Sequence, residues 1–217
     1  MSKVLVLLAD GFEEVEALTV VDYLRRADIE VVTAALDDDR TVRGAHEIYV
    51  QADRTLNEIL GLPVQELASP GLQDLLQEWD AVVLPGGMPG AKNLSEDPRV
   101  SAILQAQNER GGIVAAICAA PLALDAAGLL EGRHHTSFPG IREQLSQEEM
   151  YVDSEIVVVD ENLTTSRGPG TAVYFALELI GQLTGEEKRQ SIAEALLLPQ
   201  TEALIKGTKG DAWRRND

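Results

Sequence analysis

Ile113-Val-Ala-Ala-Ile-Cys-Ala-Ala-Pro-Leu-Ala-Leu-Asp-Ala-Ala-Gly128 changes character at its middle. The first five residues are all apolar and read as a strand buried on both faces. From Ala119 the run is alanine-rich and reads as a helix, which Gly128 stops. A single cysteine, Cys118, sits at the joint. A tight turn between strand and helix leaves room only for small neighbours, and Ala116, Ala119 and Ala120 are small.

Working outward, the same alternation repeats. Lys3-Val-Leu-Val-Leu-Leu-Ala9 reads as a buried strand. A helix over 13–26 follows, with acids in its first turn and Arg25 and Arg26 in its last, matching the helix dipole at both ends. A second strand spans 30–36, residues 37–40 form a turn, and 42–50 reads as a strand or hairpin bent near Gly44. Pro63 and Pro70 mark 57–71 as a short helix and a surface loop. Ala81-Val-Val-Leu84 is another buried strand and ends in Pro85-Gly-Gly-Met-Pro-Gly90. A helix over 97–110 precedes the Cys118 strand. Beyond it come a strand-like segment at 134–139 and strands at 156–159 and 163–166. A helix then runs from Gly168-Pro-Gly170 to 183, with Phe175, Leu179 and Leu183 on one face, and a last helix covers 185–198. This order predicts an α/β fold, a doubly wound and mostly parallel sheet with helices on both faces. Residues 1–199 read as a single domain. Residues 200–217 read as a C-terminal tail, disordered or loosely docked after about Gly207.

Composition excludes several classes. Against 36 acidic residues stand 18 Lys and Arg, a formal charge of −18. Such a surface repels phosphate backbones, so no nucleic-acid binding is expected. No apolar run approaches the ~20 residues of a membrane span, and Asp10 ends the only such stretch near the N-terminus, which points to a cytoplasmic protein. One cysteine excludes an intrachain disulfide, and three histidines leave no His-rich metal site. Neither metal nor cofactor is expected.

Three stretches carry candidate chemistry. Cys118 occupies the layout of a nucleophile elbow, at the carboxyl end of a strand where open α/β sheets bind ligands. A helix N-terminus beside it favours thiolate. In Leu84-Pro-Gly-Gly-Met88, two glycines let the backbone turn sharply. The exposed N–H groups would form an oxyanion hole with that of Ala119. Asp10-Gly-Phe-Glu-Glu-Val-Glu16 opens the first helix. Glu13 and Glu16 share a flank of it, and one of them could point at the sulfur. A buried glutamate has a raised pKa and can hydrogen-bond a thiolate.

Ala9-Asp-Gly-Phe-Glu-Glu-Val-Glu16, Val83-Leu-Pro-Gly-Gly87, Gly90-Ala-Lys-Asn-Leu94, Ala115-Ala-Ile-Cys-Ala-Ala-Pro121 and Leu163-Thr-Thr-Ser-Arg-Gly-Pro-Gly-Thr171 follow one another over residues 3–198. Together they resemble the ThiJ/PfpI superfamily, most closely its small single-domain YajL-like branch of protein deglycases and oxidative-stress chaperones. The resemblance implies a flavodoxin-like fold of the class I glutamine amidotransferase type and a homodimer that uses the first helix. It makes Cys118 the nucleophile, Glu16 its protonated carboxyl partner, and the backbone at Gly87 and Ala119 the oxyanion site. The implied activity is cofactor-independent and acts on glyoxals or their early adducts with amines and thiols. The alternative is a redox-responsive chaperone or sensor working through oxidation of Cys118. Some members carry a histidine in a Thr-Thr-His-Pro stretch. Here it reads Thr136-Ser-Phe-Pro139, so Phe138 replaces that histidine and acid–base work falls to Glu16 or water. Peptidase-like relatives place a histidine directly after the cysteine, where this chain has Ala119. Glutamine amidotransferases use a late histidine, and none follows His135.

Overall fold

The computed structural model describes residues 1–61, 66 and 70–207. In chain order the elements are β1 (Lys3–Leu8), α1 (Glu14–Arg26), β2 (Glu30–Ala35), β3 (Thr41–Arg43), β4 (Tyr49–Gln51), β5 (Arg54–Thr55), α2 (Leu56–Leu60), α3 (Pro70–Leu76) and β6 (Ala81–Leu84). They continue with α4 (Gly90–Glu96), α5 (Pro98–Glu109), β7 (Ile113–Ile117), α6 (Pro121–Ala126), β8 (Val157–Asp160), β9 (Leu163–Ser166), α7 (Ala172–Thr184), α8 (Glu186–Ala195) and α9 (Leu198–Gly207).

Seven strands form one curled sheet in the order β5-β2-β1-β6-β7-β9-β8. Every pairing is parallel except β8 with β9. The nearly unbroken apolar strands follow from this architecture, because helices cover both faces. Side-chain alternation divides each strand between two cores. Leu5 and Leu7 of β1, Val82 and Leu84 of β6, and Val114 and Ala116 of β7 face one core, closed by α2 to α6. Val4, Val6 and Leu8, Ala81 and Val83, and Ala115 and Ile117 face the other, closed by α1, α7 and α8. The strand order sets the carboxyl ends of β1, β6 and β7 side by side, so the turns that follow them meet at one edge.

The hairpin read at 42–50 is present as β3 and β4, paired antiparallel from Thr41↔Gln51 to Arg43↔Tyr49 in a separate small sheet, with its bend starting at Gly44. The structure departs from expectation in three places. Residues 134–139 form no strand. His135 makes a single bridge to Tyr151, and a 3-10 turn starts at Pro139, which has no N–H to offer a ladder. Helices α3 and α4 were unforeseen, since both begin in Gly- and Pro-containing sequence that reads as loop. The last helix is two: Leu197 takes a φ of 58°, separating α8 from α9. Pro199 then sits in the first turn of α9, where a missing N–H costs nothing. Residues 62–65, 67–69 and 208–217 lie outside the described residues. Much of the surface loop expected within 57–71 and the disorder expected after Gly207 fall there.

Phe175 is fully buried in the core beneath α1 and α7. Phe175→Ala should cost about 3–5 kcal/mol. At fixed protein concentration this lowers the urea midpoint without changing the m-value.

Candidate active site

The turn after β7 holds Cys118 at a φ of 64°, in the left-handed region that disfavours any residue with a Cβ. Two backbone bonds fix it there. Its N–H donates to the Ser166 carbonyl (3.0 Å), and its carbonyl accepts from the Phe138 N–H (2.8 Å). The segment carrying Phe138 therefore locks the elbow. The thiol is free and half-buried.

Glu16, in the first turn of α1, is fully buried beside it. Its Oε2 accepts the Gly86 N–H at 2.8 Å. Its Oε1 is buried with no hydrogen-bond partner, and the carboxyl and the Cys118 thiol perturb each other. Burial, the largest cause, pushes the Glu16 carboxyl up to about 7 against the opposing hydrogen bonds from Cys118 and Gly86.

The electrostatics at sulfur correct one expectation. The helix N-terminus was to lower the Cys118 pKa, but α6 has six residues and starts only at Pro121. Burial first, and then the neighbouring Glu16 carboxylate, push the thiol up to about 12, outweighing the Gly87 and Ala119 N–H groups directed at the sulfur. Gly87 and Ala119 thus lie where the sequence placed them. Gly86, whose N–H the sequence reading also offered to the oxyanion hole, gives it instead to Glu16. A Cβ on Gly86 would fall 2.6 Å from Cys118 Cβ and 2.8 Å from both Ala119 N and Glu16 Oε2. Its sequence signal was the Gly-Gly pair itself.

The other two glutamates of the helix start have separate fates. Glu13 lines the cavity over the sulfur. Glu14 is buried on another flank, where Oε1 accepts the His46 N–H (2.7 Å) and Oε2 meets His46 Nδ1 (2.8 Å). Burial acts to raise the Glu14 pKa, but the His46 bonds prevail and the net shift is downward. The hydrogen bond to Glu14 in turn raises His46. Donor atoms of Glu13, Glu14 and His46 lie within 4.8 Å of one another. A cation there would have to displace the His46–Glu14 bond. The remaining histidines are not at the sulfur. His134 Nδ1 pairs with Asp160 (3.1 Å), and buried His135 directs Nδ1 to the Arg133 carbonyl (2.9 Å).

Over Cys118 opens a cavity of about 340 Å³, rimmed by Met88, Phe138, Ile141 and Pro169. A larger one of about 540 Å³ between β8, α7, α8 and α9 contains neither Cys118 nor Glu16.

Fold and site together define an α/β protein organised around a single cysteine elbow. The chain belongs to the DJ-1/PfpI family, whose model matches residues 2–182. It is 40% identical over 199 residues to protein dj-1beta of Drosophila melanogaster, covering 91% of this chain and 98% of that one. It is 31% identical over 202 residues to the glutathione-independent glyoxalase DJ-1 of Schizosaccharomyces pombe, covering 92% and 100%. Among solved structures, oxidized Toxoplasma gondii DJ-1 superposes with a TM-score of 0.80 at 34% identity, covering 91% and 98%.

The Glu16 carboxyl binds its proton more tightly folded than unfolded, rising from 4.5 to about 7. Its stability contribution is therefore full below pH 4.5 and lost as pH rises through 7. The difference is about 3 kcal/mol at pH 8. Glu16→Gln should raise the urea midpoint at pH 8, and the gain should shrink as pH falls toward 4.5. The same variant should bring thiolate absorbance at 240 nm to lower pH than in the wild type, because the repelling carboxylate is gone.

Proposed function

We propose that this protein is a cysteine-dependent enzyme of the glyoxalase or deglycase type, acting on 2-oxoaldehydes or their early adducts with amines and thiols. The observation that carries this reading is the buried Glu16 carboxyl set against Cys118 at the floor of the cavity. A base with a pKa of about 7 is matched to neutral pH. A thiol held near 12 needs such a base to become a nucleophile. A glutathione-independent glyoxalase among the relatives supports the same reading.

In the proposed sequence, Glu16 takes the thiol proton as Sγ bonds to the aldehyde carbon. The carbonyl electron pair moves to oxygen, toward the Gly87 and Ala119 N–H groups, and protonation gives a hemithioacetal. Glu16 then removes the C1 proton and the electrons shift to the C2 oxygen. The C1 hydroxyl proton passes to the C2 oxygen, and return of the abstracted proton to C2 leaves a thioester of a 2-hydroxy acid. Water adds to that carbonyl, the C–S bond breaks, and the hydroxy acid departs as Sγ regains its proton. The sequence is an internal redox isomerisation followed by hydrolysis, with no external oxidant. The steps draw on Cys118, Glu16, two backbone N–H groups and water.

A second reading has its own support. The same N–H groups facing a half-exposed sulfur would hold the oxygens of a sulfinate, as a redox-responsive chaperone or sensor requires. We further propose a homodimer joined through α1, where Val15 and Leu18 are exposed apolar residues. Light scattering should then give twice the chain mass.

For methylglyoxal, kcat/KM should rise with one proton lost through about pH 7 and level off above it. Cys118→Ser should abolish turnover. Glu16→Gln should reduce it by at least ~10²-fold and flatten the profile. Wild-type activity in either variant would overturn the reading. Equal protection of an aggregating client by wild type and Cys118→Ser, with no methylglyoxal turnover by the wild type, would favour a chaperone.

A further inference from the structure

Among the described residues lining the Cys118 cavity, Glu13 is the only one with a charged side chain. Met88 and Phe138 are 51% and 47% exposed at the mouth, and Ile141 and Pro169 complete an apolar wall. Nearby cations are engaged elsewhere. Arg142 pairs with Glu148 (3.4 Å) and Asp153 (3.9 Å), and Arg167 donates to the Asp153 carbonyl. His46 approaches Glu13 to 3.8 Å, but its closer partner is Glu14 at 2.8 Å. Even with His46 protonated, Glu13, Glu14 and His46 together carry one negative charge. The chain's charge of −18 adds to the same field.

We infer that this cavity selects its ligand by charge: it admits carbonyl compounds with an apolar or cationic substituent and rejects those bearing a carboxylate, with Glu13 as the selecting residue. The inference deepens the glyoxalase reading and rests on it for the word substrate. The field at the sulfur does not depend on that reading. Phe138 and Met88 supply contact for a flat or aliphatic substituent. A carboxylate placed among these groups would lose hydration and find no cationic partner among the described residues of the wall. An amine-borne adduct, with its ammonium still charged, would meet Glu13.

Two measurements separate the inference from the reading beneath it. The first uses methanethiosulfonates that label Cys118, the single thiol in the chain. One carries a trimethylammonium group and the other a sulfonate. Their second-order rates are taken at pH 7.5 and low salt, each divided by the rate with 2-mercaptoethanol. The thiolate fraction cancels in the cation-to-anion ratio. That ratio should exceed unity by about tenfold, fall about threefold in Glu13→Gln, and shrink with added salt. The second compares turnover of phenylglyoxal and 4-carboxyphenylglyoxal. The neutral compound should have the larger kcat/KM, again by about tenfold, and Glu13→Gln should narrow the gap by raising the rate with the anion. A labelling ratio near unity, or one unchanged in a folded Glu13→Gln variant, overturns the inference. Equal turnover of both glyoxals overturns it too. Charge-selective labelling without turnover of either glyoxal upholds it and defeats the enzyme reading instead.

Discussion

Two backbone turns cross at the carboxyl edge of the sheet with no space between them, and the site depends on that crossing. The Glu13 N–H donates to the Gly86 carbonyl at 2.9 Å, and the Gly86 N–H donates to Glu16 Oε2 at 2.8 Å. A side chain on Gly87 would begin 2.3 Å from the Glu13 nitrogen, and one on Gly90 2.6 Å from the Phe12 nitrogen. Gly87 also holds a φ of 86°, which an L side chain rarely adopts. The turn after β6 can therefore lie directly on the turn after β1. Because β6 pairs with β1 on one side and β7 on the other, this contact sets the start of α1, and Glu16 with it, against the elbow that follows β7.

The two buried glutamates of α1 show how environment assigns a role. Glu14 and Glu16 are two residues apart on one helix, and both are withdrawn from water. Glu14 meets a histidine through both oxygens and its pKa is lowered. It ties the turn between β3 and β4 to the first helix. Glu16 receives one backbone N–H, keeps a second oxygen without a conventional partner, and is raised to about 7. A buried carboxylate left short of partners lowers stability. That arrangement makes sense at a site where the proton has to move, and poor sense in a scaffold.

The strands were legible because each buries both faces, leaving apolar runs with sharp ends. Ala81-Val-Val-Leu84 and Ile113-Val-Ala-Ala-Ile117 appear in the structure with the boundaries read from sequence. Cys118 was legible because small residues bracket it at a strand end. The roles of Glu13 and Glu16 were not separable from spacing alone, since both lie on one flank; burial of one and cavity exposure of the other separate them. The contact between Glu14 and His46 left no local trace, because a pairing 32 residues apart depends on where β3 and β4 dock. Helix α4 was hidden by its Gly-Ala start, which reads as the continuation of a loop. The thiol pKa was misjudged in sign for a similar reason: sequence shows the helix that follows the cysteine, but burial and the carboxylate beneath it come from elsewhere in the chain.

The two functional readings make opposite demands on the sulfur. A sensor reacts fastest as thiolate, so its cysteine should be ionised at rest. An enzyme whose base is in contact with the thiol can leave the proton in place until a carbonyl carbon arrives, then transfer it as the C–S bond forms. In this site burial and Glu16 hold the proton on sulfur, while the base below is half-ionised near neutral pH. With Ala119 and Phe138 where relatives carry histidines, the enzyme reading assigns that proton to Glu16. Which fate Cys118 meets therefore turns on where the proton shared with Glu16 sits when a carbonyl compound or an oxidant arrives.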